Sequence, residues 1–350
     1  VTGVQTCALP IYLIADVPVG VFLSAGRDST TLAALAREVG GDDLRTITLG
    51  FSEFRGREED ETILAETVAR ELGTTHETSW VAREEFAADR TKLFAAMDQP
   101  TIDGVNTYFV AKAAAAAGLK VALSGVGGDE LFGGYPSFTG APSLVRRARW
   151  SRRIPGLGKG FRMVSGPLAR RMTSPKYAGL LEYGTSLADA YLLRRALFAP
   201  WELPTVMDPD MAAAGWAELA PRINLANTAD GHKKDRAAIS ALELSWYMRG
   251  QLLRDADWAG MAHSLEIRTP LVDVELFGAL APLIAGDHPP TKSDLVNTPR
   301  TRLPRDVRVR PKTGFAIPVR EWVQDKGRIS NAPERGLRGW ARIAHRELSD

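Results

Sequence analysis

The stretch that decides the fold is VPVGVFLSAGRDSTTLAALAREVGG, residues 17–41. It opens with VPVGVFL (17–23), a continuous apolar and β-branched run that is typical of a strand buried on both faces. After the polar turn SAGRDS (24–29), the apolar residues recur at the spacing of one helix face until two glycines end the pattern. A buried strand followed at once by an amphipathic helix predicts the first unit of a parallel α/β sheet.

The same alternation of strand and helix continues to about residue 123. The further predicted strands are LRTITLGF (44–51), THETSWV (75–81) and LKVAL (119–123), and the helices between them carry Leu64, Val68 and Leu72, then the alanine run of residues 111–118. After Tyr135 strand patterns vanish and helices with Pro and Gly punctuation follow. The sequence therefore predicts an α/β fold, a doubly wound parallel sheet in residues 12–140, followed by a mainly helical lobe in residues 141–350.

The composition excludes several classes of protein. With 350 residues, 45% of them apolar, the chain can bury large cores, which excludes disorder as the whole description. The net charge of +2 gives no global reason for a nucleic-acid or anionic-membrane partner, and no apolar run reaches the roughly 18 residues of a membrane helix. A single cysteine cannot form an internal disulfide. We expect a cytoplasmic protein with small-molecule substrates, and a homodimer is one option for its assembly.

One charge asymmetry stands out. Residues 131–181 contain ten Lys or Arg residues and no acid. A solvated or lobe-packing surface is the favoured interpretation, and a functional anion-binding patch is the alternative.

The first residues, VTGVQTCALPI (1–11), lack an initiator Met and the basic segment of a signal peptide. They look like translated sequencing adapter and are interpreted as a non-native leader, so Cys7 is left out of functional reasoning.

The turn at residues 24–29 can bind phosphate. Small residues let the backbone approach a ligand, and the free N–H groups of a helix's first turn attract an anion. Asp28 adds a carboxylate that makes sense if Mg²⁺ lies between it and the phosphate. The competing interpretation, in which Ser24 and Asp28 merely cap the helix, is equally good on this turn alone.

A second loop, SGVGGDELFGGY (124–135), favours the ligand site. It follows the predicted strand 119–123 and contains five glycines and two adjacent acids, a costly composition unless backbone and metal contacts require it. Ligands of open α/β sheets bind at the carboxyl ends of strands, beside the point where strand order reverses. Two such loops, each with an Asp, predict one site for a magnesium-bound nucleotide.

These motifs resemble a known family. SAGRDS resembles the SGGxDS pyrophosphate loop of the N-type ATP pyrophosphatases, and the second loop resembles the SGxGGDELFGGY signature of the synthetase domain of glutamine-hydrolysing asparagine synthetases. Four further stretches match in the family's order: DVPVGVFLS (16–24), DQPTIDGVNT (98–107), MAHSLEIRTPLVD (261–273) and RPKTGFAIPVREW (310–322). The resemblance implies an adenine nucleotide alpha hydrolase-like fold.

The resemblance also implies a reaction: ATP adenylates the side-chain carboxylate of aspartate with release of pyrophosphate, and ammonia then displaces AMP to give asparagine. By motif, the nucleotide site comprises Leu23, Ser24, Ala25, Gly26, Asp28, Ser29, Ser124 and Gly125. Asp28 and Asp129 would coordinate Mg²⁺. Glu130 resembles the residue that faces aspartate, and Lys312 resembles the lysine that stabilises the transition state.

Three features depart from the family pattern. Ala25 stands where Gly is usual, and this is harmless only if its φ is negative. Val126 occupies a position where asparagine synthetases commonly carry an acid. The N-terminal glutaminase domain of such enzymes, with its nucleophilic first Cys, is expected to be absent. The alternatives are therefore a relative that amidates or cyclises another carboxylate, in cell-envelope or secondary-metabolite synthesis, and a non-catalytic nucleotide-binding remnant. A tRNA-modifying relative is disfavoured because it does not explain GGDELFGGY or RPKTGF.

Overall fold

The computed structural model describes residues 9–40, 43–172, 174–312, 318, 322 and 337–349. The chain divides into two compact units. The first contains the described residues of 1–134 and 248–350, and the second is Tyr135–Tyr247.

The first unit is built on five strands, and helices fill both units. The strands are β1 (Val19–Phe22), β2 (Arg45–Phe51), β3 (Thr75–Val81), β4 (Val121–Leu123) and β5 (Glu266–Arg268). The α-helices are α1 (Arg27–Gly40), α2 (Thr62–Leu72), α3 (Arg83–Ala96), α4 (Gly104–Ala116), α5 (Gly128–Phe132), α6 (Ser137–Ala148), α7 (Leu157–Met172), α8 (Leu180–Tyr183), α9 (Leu187–Arg195), α10 (Pro209–Leu219), α11 (Pro221–Ala229), α12 (Asp235–Leu242), α13 (Leu253–Met261), α14 (Val274–Ala285), α15 (Lys292–Val296), α16 (Arg305–Val309) and α17 (Arg338–Ser349). Short 3₁₀ segments lie at Ser52–Phe54, Arg149–Arg153, Pro175–Gly179, Pro200–Thr205 and Pro270–Val272, and a π-helix spans Glu243–Leu252.

The strands form one parallel sheet in the order β3-β2-β1-β4-β5. The chain moves outward from β1 to β3 and then returns to the other side of β1, so the order reverses between β1 and β4. This arrangement confirms the predicted α/β fold with a doubly wound parallel sheet. In the adjacent pair, Val19 lies beside Val121 and Val21 beside Leu123, so the two strands end side by side.

Helices cover both faces of the sheet. On one face, Ile47 and Leu49 pack with Phe109 of α4 and Trp258 of α13. On the other face, Val21 of β1 belongs to a cluster formed mainly by α1, α2 and α16. The central strands β1, β2 and β4 are largely buried because helices pack on both sides of the sheet.

The fifth strand corrects one expectation. The sequence predicts no strand after Tyr135, but β5 pairs with β4 and extends the sheet by one strand. The strand has three residues, Glu-Ile-Arg, and its two ends are charged, so it shows neither an apolar run nor a useful alternation. The predicted helical lobe of 141–350 likewise differs from the observed units, since residues from Met248 onward belong with the sheet.

The segment that connects α3 to α4 is fastened to α13. Asp98 forms an ion pair with Arg254 at 3.2 Å, and Thr101 donates to the buried carboxylate of Asp255 at 2.7 Å. The indole N–H of Trp258 donates to the other oxygen of Asp255 at 3.0 Å. These contacts give the DQPTIDGVNT stretch a structural role in the first unit.

The second unit has its own core and a buried charge at the two points where the chain enters and leaves it. The guanidinium of Arg195 lies 4.1 Å from the ring centre of Tyr135 and 3.8 Å from that of Tyr247. It donates to the fully buried Glu243, which also accepts from Ser137 and Tyr191. Through Arg195 the cluster holds the first and last residues of the unit together.

Part of the predicted leader lies in the core. Residues 1–8, with Cys7, lie outside the described residues, but Leu9 is 2% exposed and packs in the α1 cluster. The backbone carbonyls of Tyr12 and Ile14 accept from Arg268 at 2.9 and 2.8 Å. The chain is therefore integrated with the sheet from Leu9 onward, three residues before the predicted start of the α/β lobe. Among the described residues, no helix combines the length and apolarity needed to cross a bilayer.

A pH-dependent stability follows from Asp255. Burial raises its pKa to about 6, against the opposing effect of the hydrogen bonds from Thr101 and Trp258. Since this value lies above the ~3.9 of an unfolded aspartate, the protonated group contributes stability that is fully present below pH ~4 and is lost as the pH rises through 6. The unfolding free energy of the wild type should fall between pH 4 and pH 7 as Asp255 ionises. In Asp255→Asn this fall should be smaller by ~2 to 3 kcal/mol.

Urea unfolding followed by tryptophan fluorescence at several pH values measures this difference. The exposed neighbour Asp257 provides the matched control, and Asp257→Asn should leave the profile of the wild type unchanged. Parallel pH profiles for Asp255→Asn and the wild type would contradict the assignment.

Candidate functional site

Two loops meet at the point where strand order reverses. The loop of residues 23–26 joins β1 to α1, and the loop of residues 124–127 joins β4 to α5. Because β1 and β4 are parallel neighbours, both loops lie at the same edge of the sheet. This is the position at which open α/β sheets bind ligands.

The first loop is closed on itself by its two serines. Ser24 and Ser29 are joined by a hydrogen bond of 3.0 Å between their hydroxyl groups, and the Ser29 hydroxyl also accepts from the backbone N–H of Ser24 at 3.2 Å. The backbone carbonyl of Gly26 accepts from Thr30 at 3.0 Å, which starts the helical hydrogen bonding of α1. The loop is thereby held as a tight turn that presents the first turn of α1 at the sheet edge.

Ala25 adopts a left-handed backbone conformation, with φ +52°, and is completely buried. Glycine reaches this region without steric cost, whereas the Cβ of any other residue clashes there and raises the energy by about 1 to 2 kcal/mol. The alanine that replaces the family's usual glycine at position 25 therefore strains the backbone. The rest of the turn holds Ala25 in a conformation that the residue does not favour.

Glycines in the second loop leave room for the charged side chains. A Cβ on Gly128 would lie 2.6 Å from the carboxyl carbon of Asp28, and one on Gly134 would overlap the carboxylate of Asp129. Gly127 has φ +99°, which suits glycine alone, and a Cβ there would meet the backbone of Leu271. The glycine content of the loop, which the sequence marks as costly, is thus explained by close approach at these positions.

Four charged side chains converge between the loops. Asp28 of α1 and Asp129 of α5 both contact the ammonium of Lys292, the latter at 2.7 Å. The other carboxylate oxygen of Asp129 contacts the ammonium of Lys312. Asp129 and Lys292 are almost fully buried, whereas the Lys312 side chain is 42% exposed. The structure therefore brings together three of the predicted residues, Asp28, Asp129 and Lys312.

The pKa values of the cluster follow from this arrangement. Burial raises the pKa of Asp28; Lys292 acts against that shift and Asp129 adds to it. For Asp129 burial also favours the neutral form, but the ammonium groups of Lys292 and Lys312 outweigh burial and lower its pKa. Lys312 shows the reciprocal effect: burial opposes its charge, but Asp129 in front of it raises its pKa. Asp129 and Lys312 are thus held as a charged pair.

Lys292 is the residue that the sequence alone did not reveal. It is the first residue of the short helix α15. A reciprocal capping box starts this helix: the Thr291 N–H donates to the Asp294 carboxylate at 2.8 Å, and the Thr291 hydroxyl accepts from the Asp294 N–H at 3.4 Å. The Thr-x-x-Asp spacing predicts a helix start, but nothing in TKSD indicates where the lysine points. Lys292 reaches Asp28, which lies 264 residues earlier in the chain, only through the tertiary packing of α15.

Lys312 lies at the end of a described segment that is anchored nearby. Arg310 forms an ion pair of 3.0 Å with Glu61, next to the start of α2. Residues 313–317 and 319–321 of the RPKTGFAIPVREW stretch lie outside the described residues. The contact of Lys312 with Asp129 is therefore the part of this motif that bears on the site.

The predicted adenosine contacts Leu23, Ser124 and Gly125 lie in the two loops, and Glu130 lies in α5. Glu130 is fully buried, and the role on the acceptor side that the resemblance implies for it stays a prediction. The N–H of Leu23 donates to Ile47 at 2.9 Å, and its carbonyl accepts from Thr48 at 2.5 Å. The N–H of Ser124 donates to Arg268 at 2.8 Å, which extends the pairing of β4 with β5. A Cβ on Gly125 would lie 3.1 Å from the backbone nitrogen of Ser29, so the second loop packs against the first turn of α1 there. Their assignment to adenosine stays a prediction.

Glu266, Arg268 and Asp273 form structural contacts. Arg268 binds Glu266 at 2.7 Å in addition to the carbonyls of residues 12 and 14. Asp273 caps α14 by accepting from Glu275 and Leu276, and it accepts from Tyr12 at 3.0 Å. These three residues thus form a structural network at the edge of the sheet, in which the Glu266 side chain is exposed.

The cluster fits a Mg²⁺ ion that is shared with a ligand. Among the described residues no group of three or more His, Cys, Asp or Glu side chains could hold a metal ion. Mg²⁺, however, is usually bound by one or two carboxylates together with substrate phosphates. Asp28 and Asp129 supply two such carboxylates, both held close together by Lys292.

Comparison with known proteins identifies relatives over most of the chain. The sequence model described as asparagine synthase matches residues 8–345. A putative glutamine-hydrolysing asparagine synthetase of Mycobacterium tuberculosis is 33% identical over 93% of this chain and 48% of its own length. Glutamine-hydrolysing asparagine synthetase 1 of Bacillus subtilis is 30% identical over 90% of this chain and 49% of its own. An amidase of Gibberella zeae is 30% identical over 37% of this chain and 22% of its own. The chain spans about half the length of the first two relatives.

Substitutions of Ala25 test the left-handed conformation. In Ala25→Gly, relief of the backbone strain offsets the lost methyl group and the greater freedom of the unfolded chain, so unfolding free energy should stay within ~1 kcal/mol of the wild type. In Ala25→Val, a β-branched side chain in this conformation should cost more than ~2 kcal/mol. Urea denaturation of both variants measures the difference. Equal stability of the glycine and valine variants would show that the backbone at residue 25 is not left-handed.

Proposed function

Because this chain belongs to the asparagine synthase family, we propose that it is an ATP-dependent amide ligase. In the proposed reaction, a carboxylate oxygen of the acceptor attacks the α-phosphorus of ATP, the bond to the leaving oxygen breaks, and pyrophosphate departs. The nitrogen of ammonia then attacks the activated acyl carbon and AMP leaves. Aspartate is the proposed acceptor and asparagine the proposed product.

The observation that carries this proposal is the charge cluster at the switch point of the sheet. Two acids and two lysines, from four separate parts of the chain, meet between two turns shaped by small residues. Adenylation brings an anionic carboxylate toward an anionic polyphosphate, so cations must neutralise the charge that develops at the α-phosphate. The glycines at 128 and 134 leave the room that the carboxylates of Asp28 and Asp129 occupy.

We assign the phosphates to the first loop. Ser24, Gly26 and Ser29 lie in the closed turn before and within the first turn of α1, where the backbone N–H groups attract anions. Asp28 and Asp129 would hold Mg²⁺, which supplies charge neutralisation on the pyrophosphate group. Leu23, Ala25, Ser124 and Gly125 remain the proposed nucleotide contacts.

The two lysines have different proposed tasks. Lys292 is buried between Asp28 and Asp129, so it compensates the acids and limits their mutual repulsion. Lys312 has a more exposed side chain, and its flexible stem lets the ammonium reach a ligand. We propose that Lys312 stabilises the charge that develops during adenylation. Glu130 is the proposed residue on the acceptor side.

A second candidate function is amidation or cyclisation of a different carboxylate. Val126 favours it, because this half-buried apolar residue occupies the loop position where asparagine synthetases commonly carry an acid. Competition between aspartate and other carboxylic acids in a pyrophosphate-release assay distinguishes the two functions. A nucleotide-binding remnant would bind ATP and release no pyrophosphate with any acceptor.

The metal-binding role of the two acids can be tested directly. Asp28→Asn and Asp129→Asn should each lose magnesium-dependent pyrophosphate formation by ~10² or more, because a neutral amide leaves the metal and polyphosphate charge under-compensated. Both variants should fold, since Lys292 contacts both acids and each substitution leaves it one buried carboxylate partner. Pyrophosphate release at limiting Mg²⁺ is the measurement, and the exposed Asp257→Asn is the matched control. Wild-type turnover in both variants would rule out the two-loop site.

Lys312 should act on the transition state and not on nucleotide affinity. An interaction that forms mainly as adenylation charge develops should, when removed, lower kcat and kcat/KM together, by roughly 10² to 10³ in Lys312→Ala. Calorimetry should show nearly normal ATP binding by this variant. Lys312→Arg should restore little activity, because a planar guanidinium does not reproduce a point ammonium. Unchanged turnover in Lys312→Ala would leave this residue as surface charge.

A further inference from the structure

Helix α7 of the second unit presents an apolar face to solvent. The exposed apolar side chains are Phe161, Met163, Val164 and Leu168, with exposures from 40 to 83%. Val164 and Leu168 are one turn apart and therefore adjacent on the helix surface. An exposed helix in a water-soluble unit normally has the opposite polarity, with its apolar stripe toward the core.

The inner face of the same helix carries small and polar residues. A Cβ on Gly158 would meet the backbone of Glu182 at 2.6 Å, so this side of α7 touches the rest of the unit. Arg162 lies on that side too, pairs with Glu182 at 2.5 Å, and stacks over Trp201. By contrast, nothing lies within 4 Å of a Cβ placed on Gly160. The apolar residues of α7 are thus on the side that the unit leaves uncovered.

Exposed basic residues and a second apolar group precede this helix. Trp150 and Ile154, in and just after the 3₁₀ turn before α7, are each about half exposed. The exposed cations of this region are Arg146, Arg147, Arg149, Arg152, Arg153 and Lys159. Since residues 131–181 contain no acid, the stretch is positively charged throughout. The net charge of +2, which predicts no membrane partner, averages this stretch with acidic parts of the chain.

We propose that this surface, residues 146–168, docks on an anionic phospholipid bilayer without crossing it. Basic residues next to exposed Trp, Phe and Leu are the composition of segments that lie in the bilayer interface, where apolar side chains enter the acyl boundary and cations meet the headgroups. A symmetric contact with a second copy would place like charges opposite each other. Nucleic acid would satisfy the arginines but leave Met163, Val164 and Leu168 in water.

The test is co-sedimentation of the full chain with vesicles of phosphatidylcholine alone and of phosphatidylcholine with phosphatidylglycerol. Binding should require the anionic lipid and should weaken with added salt. Val164→Glu combined with Leu168→Glu should lower partitioning by about tenfold or more, because two charges must then enter the acyl boundary. Arg152→Glu combined with Arg153→Glu should lower it similarly. Ile223→Glu, at an equally exposed apolar position of α11, is the matched control and should bind as the wild type does.

Three outcomes would overturn the proposal. The first is equal binding to both kinds of vesicle, or to neither. The second is a loss of binding in the arginine variant only, which would mean a purely electrostatic surface open to any polyanion, nucleic acid included. The third is self-association that Val164→Glu with Leu168→Glu abolishes, which would assign the face to a second copy of the chain. The proposal is independent of the amide-ligase function, since none of these residues lies in the charge cluster of the first unit.

Discussion

The structure of the first unit depends on keeping two carboxylates together at the edge of a sheet. Asp28 and Asp129 follow neighbouring parallel strands, so the topology itself brings like charges into proximity. Burial and mutual repulsion both oppose ionisation of such a pair. Lys292, in contact with both acids, and Lys312, in contact with Asp129, supply the compensating charge. The glycines at 128 and 134 give the two carboxylates room, because any side chain there would occupy the space of the carboxylates.

Much of this could be predicted from the sequence because its causes are local. The strands β1 and β4 lie in short apolar runs, α1 and α2 have clear apolar periodicity, and the two turns carry small residues at the carboxyl ends of strands. Parallel pairing then forces the turns onto one edge. Asp28 and Asp129 could be assigned to one site from these facts. Helix α3 was not predicted, although Phe86 and Leu93 are buried within it.

The features that escaped prediction depend on contacts between distant parts of the chain. Strand β5 is three residues long and is defined by its pairing with β4, not by a pattern of its own. Lys292 follows a helix-capping threonine, and its orientation comes from where α15 packs. The φ of Ala25 is set by the closed turn around it, and residue type alone favours the other sign. In each case local propensity is weak or contrary, and tertiary context decides.

Charge balance also explains why a boundary near residue 140 does not isolate a complete unit. The sheet lobe of 12–140 contains Asp28 and Asp129 but neither of the lysines that contact them, since both cations come from residues after 290. Removing one partner of a buried ion pair leaves an uncompensated charge and is strongly destabilising, about 3 to 5 kcal/mol. The lobe would also lose β5, which pairs with β4 beside the second loop. The return of the chain to the sheet after Tyr247 is therefore a requirement of the site, because the segments that carry its acids do not supply its cations.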